Sequence, residues 1–168
     1  MDKWMKPGLL IALLLTFGLA PANEQVDLVL PDLDGKPHDI AQYRGKWVVI
    51  NYWATWCPPC VYEIPELIAF HERHADTDAV VIGVNAETLD TKLLRDFVAK
   101  FEINYPILLE DPDRMSPMSR VFGLPTTYIV RPDGKLAARR NGPVTAEQLE
   151  LMISAPVPAP TTGSRRRT

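Results

Sequence analysis

Asn51-Tyr52-Trp53-Ala54-Thr55-Trp56-Cys57-Pro58-Pro59-Cys60 carries both cysteines of the 168-residue chain, three positions apart, where an apolar strand pattern gives way to an expected helix. A thiolate is the form of cysteine that attacks disulfides, and the unpaired N–H groups and positive dipole end of a helix favour it. Cys57 is therefore the expected nucleophile. Cys60, one helical turn further in, can attack the mixed disulfide and leave both sulfurs joined. A purely structural bridge is a poorer account, because closing so short a loop removes little unfolded-chain entropy. Structural zinc is poorer too: one Cys-x-x-Cys without a second pair fills half of a four-ligand shell.

Working outward, strands and helices alternate. Trp47 to Tyr52 is a nearly continuous β-branched and aromatic run, the pattern of a central strand buried on both faces. The helix after it is expected to start at Pro58-Pro59, where missing N–H groups are tolerated, with Val61, Ile64, Leu67, Ile68 and His71 at helical spacing. Pro65 should kink it. Upstream, Val26 to Leu30 and His38 to Ile40 flank the turn signal Asp34-Gly35 and predict a hairpin.

Downstream, Ala79 to Val84 reads as a second buried strand. Leu89 to Phe101 reads as a helix with Leu93, Leu94, Phe97, Val98 and Phe101 on its apolar face. Pro106 to Leu109 follows as a strand, and Arg114 to Phe122 as a short helix ended by Gly123. Thr126 to Arg131 and Leu136 to Arg140 predict an antiparallel pair turned by Pro132-Asp133-Gly134. Thr145 to Ser154 is the last helix, with Thr145 and Gln148 forming a capping box. The fold class is α/β with a mixed sheet.

The ends differ from this domain, which is expected over residues 23–154. Lys3 and Lys6, the apolar run Gly8 to Ala20 and the small-x-small Ala20-Pro21-Ala22 read as an export signal in residues 1–22, cleaved near Asn23. The run is shorter than the roughly 20 residues that span a bilayer, which favours cleavage over the alternative, an uncleaved membrane anchor. Residues 155–168, Pro-rich and then closing on Arg165-Arg166-Arg167-Thr168, are expected to be a disordered tail. A net charge of -3 and the lack of a basic, aromatic-rich stripe argue against nucleic acid. An exported chain normally uses cysteines as staples; the only pair here has a reactive spacing, which marks it as catalytic.

Trp53-Ala54-Thr55-Trp56-Cys57-Pro58-Pro59-Cys60, Gly123-Leu124-Pro125-Thr126-Thr127-Tyr128-Ile129-Val130 and Tyr43-Arg44-Gly45-Lys46-Trp47-Val48-Val49-Ile50-Asn51 together resemble exported thioredoxin-like thiol–disulfide oxidoreductases of the TlpA/ResA type. The likeness covers about residues 26–154. It implies a thioredoxin fold, a central mixed sheet flanked by helices, with an N-terminal hairpin and a helix-plus-strand insertion over Glu87 to Leu109. It also implies an exposed attacking Cys57, a buried resolving Cys60, a helix-kinking Pro65 and a cis Pro125. Leu124 then offers a backbone edge to a substrate strand. Trp56, Pro58 and Pro59 complete the expected substrate-binding rim, and Trp53 belongs to the core beside it.

Two departures from related patterns matter. Plain thioredoxin has a buried aspartate where this chain has Asn51, which cannot take up a proton. Glu63 matches the glutamate that ResA-like members place near the dithiol; three residues after Cys60, it returns to the same helix face and can relay that thiol's proton. Thr126 stands where cytochrome c maturation members carry glutamate, which weakens a role dedicated to haem-attachment cysteines.

The implied function is reduction of disulfides in exported, periplasmic bacterial proteins, cytochrome c maturation included, with the Cys57–Cys60 disulfide as the only redox group. Recharging then requires a membrane thiol-electron donor, since no nicotinamide or flavin motif is present. The alternative within redox is a thiol oxidase or isomerase. A thiol peroxidase needs Pro-x-x-x-Thr-x-x-Cys, and Ile50 and Ala54 occupy those places. Copper delivery in the related fold uses Cys-x-x-x-Cys, one residue longer than here. His71 and His74 share a metal-capable spacing but lack a third ligand; they and His38 are expected to be surface or hydrogen-bonded histidines.

Overall fold

The seven residues Trp47–Trp53 form β3, and every one of them is buried. The run is a central strand with two covered faces, as its unbroken apolar character predicts. The computed structural model describes residues 25–111 and 123–154. β1 (Val29–Pro31) and β2 (Pro37–Asp39) form the N-terminal antiparallel hairpin, followed by a short 3-10 helix, Ile40–Tyr43. After β3 come α1 (Pro58–His74), β4 (Ala79–Asn85), α2 (Thr91–Lys100), β5 (Ile107–Leu109), β6 (Thr126–Val130), β7 (Leu136–Asn141) and α3 (Ala146–Ile153).

The five-stranded sheet has the order β5-β4-β3-β6-β7. β3 runs parallel to β4, and β4 to β5; β6 is antiparallel to both β3 and β7. Alternation along β3 divides the core. Trp47, Val49 and Trp53 join Leu67 and Phe70 of α1, Leu94 of α2 and Leu149 of α3 on one face. Val48, Ile50 and Tyr52 join Val26, Leu28 and Ile40 of the N-terminal segment on the other. All three of these helices therefore contribute to one face. Gly83 permits the close packing of β4: a Cβ there would stand 2.8 Å from Ile107 Cδ1 and 3.0 Å from Trp53 Nε1.

Several local expectations shift. α2 begins at Thr91 rather than Leu89, because Asp90 caps it by accepting from the N–H groups of Lys92 and Leu93. Leu93 is 56% exposed, so the apolar face of α2 centres on Leu94, which is buried. In α1 the buried face is Cys60, Glu63, Ile64, Leu67 and Phe70, so Val61, Ile68 and His71 lie at its margin, and the helix continues through Pro65. The capping box of α3 forms as its sequence predicts. The expected signal segment, the helix at Arg114 to Phe122 and the C-terminal tail lie outside the described residues.

Candidate active site

Cys57 is the N-cap residue of α1, placed there by a turn in which its N–H donates to the Ala54 carbonyl at 3.2 Å. Cys57 and Cys60 are joined as a disulfide with their Cα atoms 5.3 Å apart. Pro58 and Pro59 fill the first two helical positions and supply no N–H, while the Val61 N–H is bound to the Cys57 carbonyl. The Cys60 N–H is therefore the main first-turn donor left for a charged sulfur at Cys57. The sulfur pair is less open than the resemblance implies: Cys57 is 4% exposed and Cys60 1%. Both belong to the same core cluster as Trp53 and Ala54. Trp56, by contrast, projects into solvent at 67% exposure.

Glu63 follows Cys60 by one turn and is buried on the same inward face of α1. Its Oε1 accepts from Asn51 Nδ2 at 2.8 Å, and its Oε2 accepts from the Val144 N–H at 2.9 Å. Asn51 also donates to Thr127 Oγ1 at 3.1 Å, on the strand that follows Pro125. Burial pushes the Glu63 carboxyl up to about 7, against the lowering effect of the Asn51 and Val144 bonds. Tyr105, buried on the same side, has its phenol pushed up by burial and by the Glu63 charge. Thus Asn51 carries no proton itself but holds the residue that can. Each carboxylate oxygen can accept two hydrogen bonds, so Glu63, with one donor on each oxygen, keeps room for a proton.

The Leu124–Pro125 peptide bond is cis. Pro125 is buried, Leu124 half-buried, and Thr126 is turned inward, its hydroxyl donating to the Gly123 carbonyl at 2.8 Å.

The sequence belongs with known proteins of this architecture. Residues 21–139 match the family model described as the AhpC/TSA family. The thiol-disulfide oxidoreductase ResA of Geobacillus thermodenitrificans is 31% identical over 138 residues, covering 82% of this chain and 78% of that one. The chain belongs to the AhpC/TSA family, among its ResA-type thiol–disulfide oxidoreductases. ResA of Bacillus thuringiensis subsp. konkukian is 28% identical over 136 residues, 81% of this chain and 78% of its own. A DsbF homologue from Corynebacterium diphtheriae superposes with a TM-score of 0.71 at 27% identity, covering 79% of this chain and 85% of that one. The fold is thioredoxin-like and the redox group of this ResA-type protein is the Cys57–Cys60 disulfide.

The histidines are satisfied as expected. His71 Nδ1 accepts from the Val81 N–H at 3.1 Å, His74 bonds Asp78 and Glu150, and His38 bonds the Tyr43 hydroxyl. Among the described residues no group of three or more His, Cys, Asp or Glu is placed to hold a metal ion, and no helix is long and apolar enough to cross a membrane. One residue at the site escaped sequence reasoning. Glu87, in the connection from β4 to α2, accepts from the Thr55 N–H at 2.7 Å and from the Thr55 hydroxyl at 3.1 Å. No local pattern announces a bond that spans 32 positions.

Proposed function

We propose that this oxidoreductase works as a reductase of disulfides in exported proteins. The observation that carries the direction is the double proline at the start of α1. By removing two N–H donors it leaves a Cys57 thiolate poorly stabilised, which disfavours the reduced pair and makes it give up electrons more readily. The Cys57 thiolate attacks one sulfur of the target disulfide, forming a mixed disulfide and releasing the target's other sulfur as a thiolate that takes up a proton. Cys60 then loses its proton to the Glu63 carboxylate, and its thiolate attacks Cys57 Sγ. The mixed disulfide breaks, the target's second thiolate leaves, and two electrons have passed from the dithiol to the target.

In this reading the exposed Trp56 offers an apolar rim and Leu124 a backbone edge for a substrate strand, with Pro58, Pro59 and Pro125 completing the binding surface. Oxidised Cys-x-x-Cys-His segments of exported c-type cytochromes belong to the same chemical class of substrate. The inward Thr126 puts no charge at this rim, which suits a broad choice of target. In this reading residues 1–22 direct export to the periplasm, 23–154 act there, and a membrane thiol-electron donor reduces the spent disulfide.

Equilibration of the Cys57–Cys60 couple with glutathione redox buffers tests the direction. A potential more negative than about -230 mV is expected; a value near about -120 mV, that of a strong oxidant, would overturn the reading.

A further inference from the structure

The turn that presents Cys57 is held from outside. Its four residues are Ala54 to Cys57, closed by the Cys57 N–H on the Ala54 carbonyl. Such a turn leaves the N–H of its second residue, Thr55, without an internal partner. Glu87 supplies one: its Oε1 takes the Thr55 N–H at 2.7 Å, and its Oε2 takes the Thr55 hydroxyl at 3.1 Å. The carboxylate is itself oriented by Asn85, whose Nδ2 donates to Oε1 at 2.9 Å. Immediately before it, the Ala86 N–H donates to the Trp53 carbonyl at 2.9 Å. The β4–α2 connection is thus stitched to the segment that ends in the nucleophile.

Two consequences follow from these contacts. A half-buried carboxylate with three donors fixes the turn more firmly than a neutral acceptor, since charge-assisted bonds are the stronger kind. Thr55 lies two residues before Cys57, so its Cα is within about 7 Å of the Cys57 Cα. The Glu87 carboxylate is bonded to Thr55 itself, so its negative charge stands against the turn that presents Cys57 and opposes formation of a thiolate there. It acts in the same direction as the missing donors of Pro58 and Pro59.

We propose that Glu87 is a positioning residue for the dithiol, which fixes the Ala54–Cys57 turn and through its charge makes the Cys57–Cys60 couple more reducing. The proposal deepens the reductase reading and rests on it for the functional meaning of the bias. Glu63, on α1 one turn after Cys60, is the other carboxylate to be told apart from it.

The test uses the full chain with Glu87→Gln, which keeps the shape and an acceptor for the Thr55 N–H, and Glu87→Ala, which removes both. Each is made with Glu63 intact and again with Glu63→Gln, so that the two carboxylates are told apart. The pH profile of Cys57 alkylation in the reduced protein and the equilibrium with glutathione are measured, with thermal unfolding as a control for folding. Both variants should move the alkylation midpoint to lower pH and shift the glutathione equilibrium toward the dithiol by about three- to tenfold. Glu87→Ala should in addition slow attack on a disulfide peptide when compared at equal thiolate fraction. Unchanged alkylation and redox equilibria in Glu87→Gln, or a loss of thermal stability alone in Glu87→Ala, would overturn the proposal. The alkylation profile reads the Glu87 charge even if the wild-type couple proves to be an oxidant, so the two readings fail separately.

Discussion

Asn51 and Glu63 are joined by a 2.8 Å hydrogen bond between a buried carboxamide on the central strand and a buried carboxylate on the active-site helix. The carboxamide cannot accept a proton, yet through its second bond to Thr127 it ties that carboxylate to the strand following Pro125. The buried Glu63 carboxyl, one turn after Cys60, is thus held by three elements: β3 through Asn51, α1 through its own backbone, and the loop before α3 through Val144. The arrangement sets the behaviour of the pair toward pH.

Glu63 should make the oxidised protein less stable as pH rises. Its folded value of about 7 lies above the ordinary 4.5, so the native state binds more protons than the unfolded chain between those values. Stability from this group is present below about pH 4.5 and is lost by about pH 7, a change of about 3 kcal/mol. Glu63→Gln removes that slope, which denaturant unfolding at pH 5 and pH 8 will show. In the reduced protein the same substitution should slow resolution of the mixed disulfide by at least about tenfold and change its pH profile. An unchanged rate and profile would leave Glu63 a purely structural residue.

Cys60→Ser should accumulate mixed disulfides with protein targets, because attack by Cys57 survives while resolution is lost. Cys57→Ser should form none. With both sulfurs buried in the oxidised form, the difference in exposure is small. The position of Cys57 at the helix N-cap decides the order instead. Non-reducing electrophoresis after incubation with a disulfide-bonded protein distinguishes the two, and trapping by Cys57→Ser alone would reverse the roles.

His71 supports the sheet where β4 has outrun its neighbour. β5 pairs only with Gly83, Val84 and Asn85, so the Val81 N–H on that side is taken by His71 Nδ1. Burial holds the His71 pKa below 6.5, as a neutral acceptor requires. Its contribution is therefore present above about pH 6.5 and is lost as pH falls through the lowered folded value. His71→Phe should cost about 1–3 kcal/mol at pH 7.5, the penalty of a buried N–H without a partner, and should remove the acid-side slope below pH 6.5. Equal stability of the two proteins at pH 7.5 would show that the bond contributes nothing.

Much of this was legible because it depends on neighbours in the chain. The two buried faces of Trp47–Trp53 follow from an unbroken apolar run, and the inward position of Glu63 follows from its three-residue offset from Cys60. Thr145 and Gln148 formed their capping box because both partners lie within one turn. The cis bond at Pro125 came from the family resemblance alone. Contacts made by folding were not legible. Glu87 meets Thr55 across 32 positions, and the periodicity that placed Leu93 on an apolar face could not tell that the face of α2 is narrow. The burial of Cys57 depends likewise on the core cluster that it joins with residues from α2, α3 and the sheet.

The end of α2 carries a correctable backbone penalty. The Glu102 N–H donates to the Ala99 carbonyl at 3.2 Å and the Ile103 N–H to the Val98 carbonyl at 3.1 Å, the paired bonds of a Schellman ending. That motif requires a left-handed residue at its turning point, and Glu102 occupies it with φ of 52°. A non-glycine side chain pays for that conformation by roughly 1–2 kcal/mol, because its Cβ crowds the following carbonyl oxygen. Glycine escapes the crowding but loses more chain entropy on folding. The balance for Glu102→Gly should be a gain of about 1 kcal/mol, visible as a shift of the denaturant midpoint with an unchanged slope. Because Glu102 is remote from the dithiol in the chain and shares no hydrogen bond with it, the glutathione equilibrium should stay that of the parent protein. A loss of stability in Glu102→Gly would mean that the glutamate side chain offsets the cost of its own backbone.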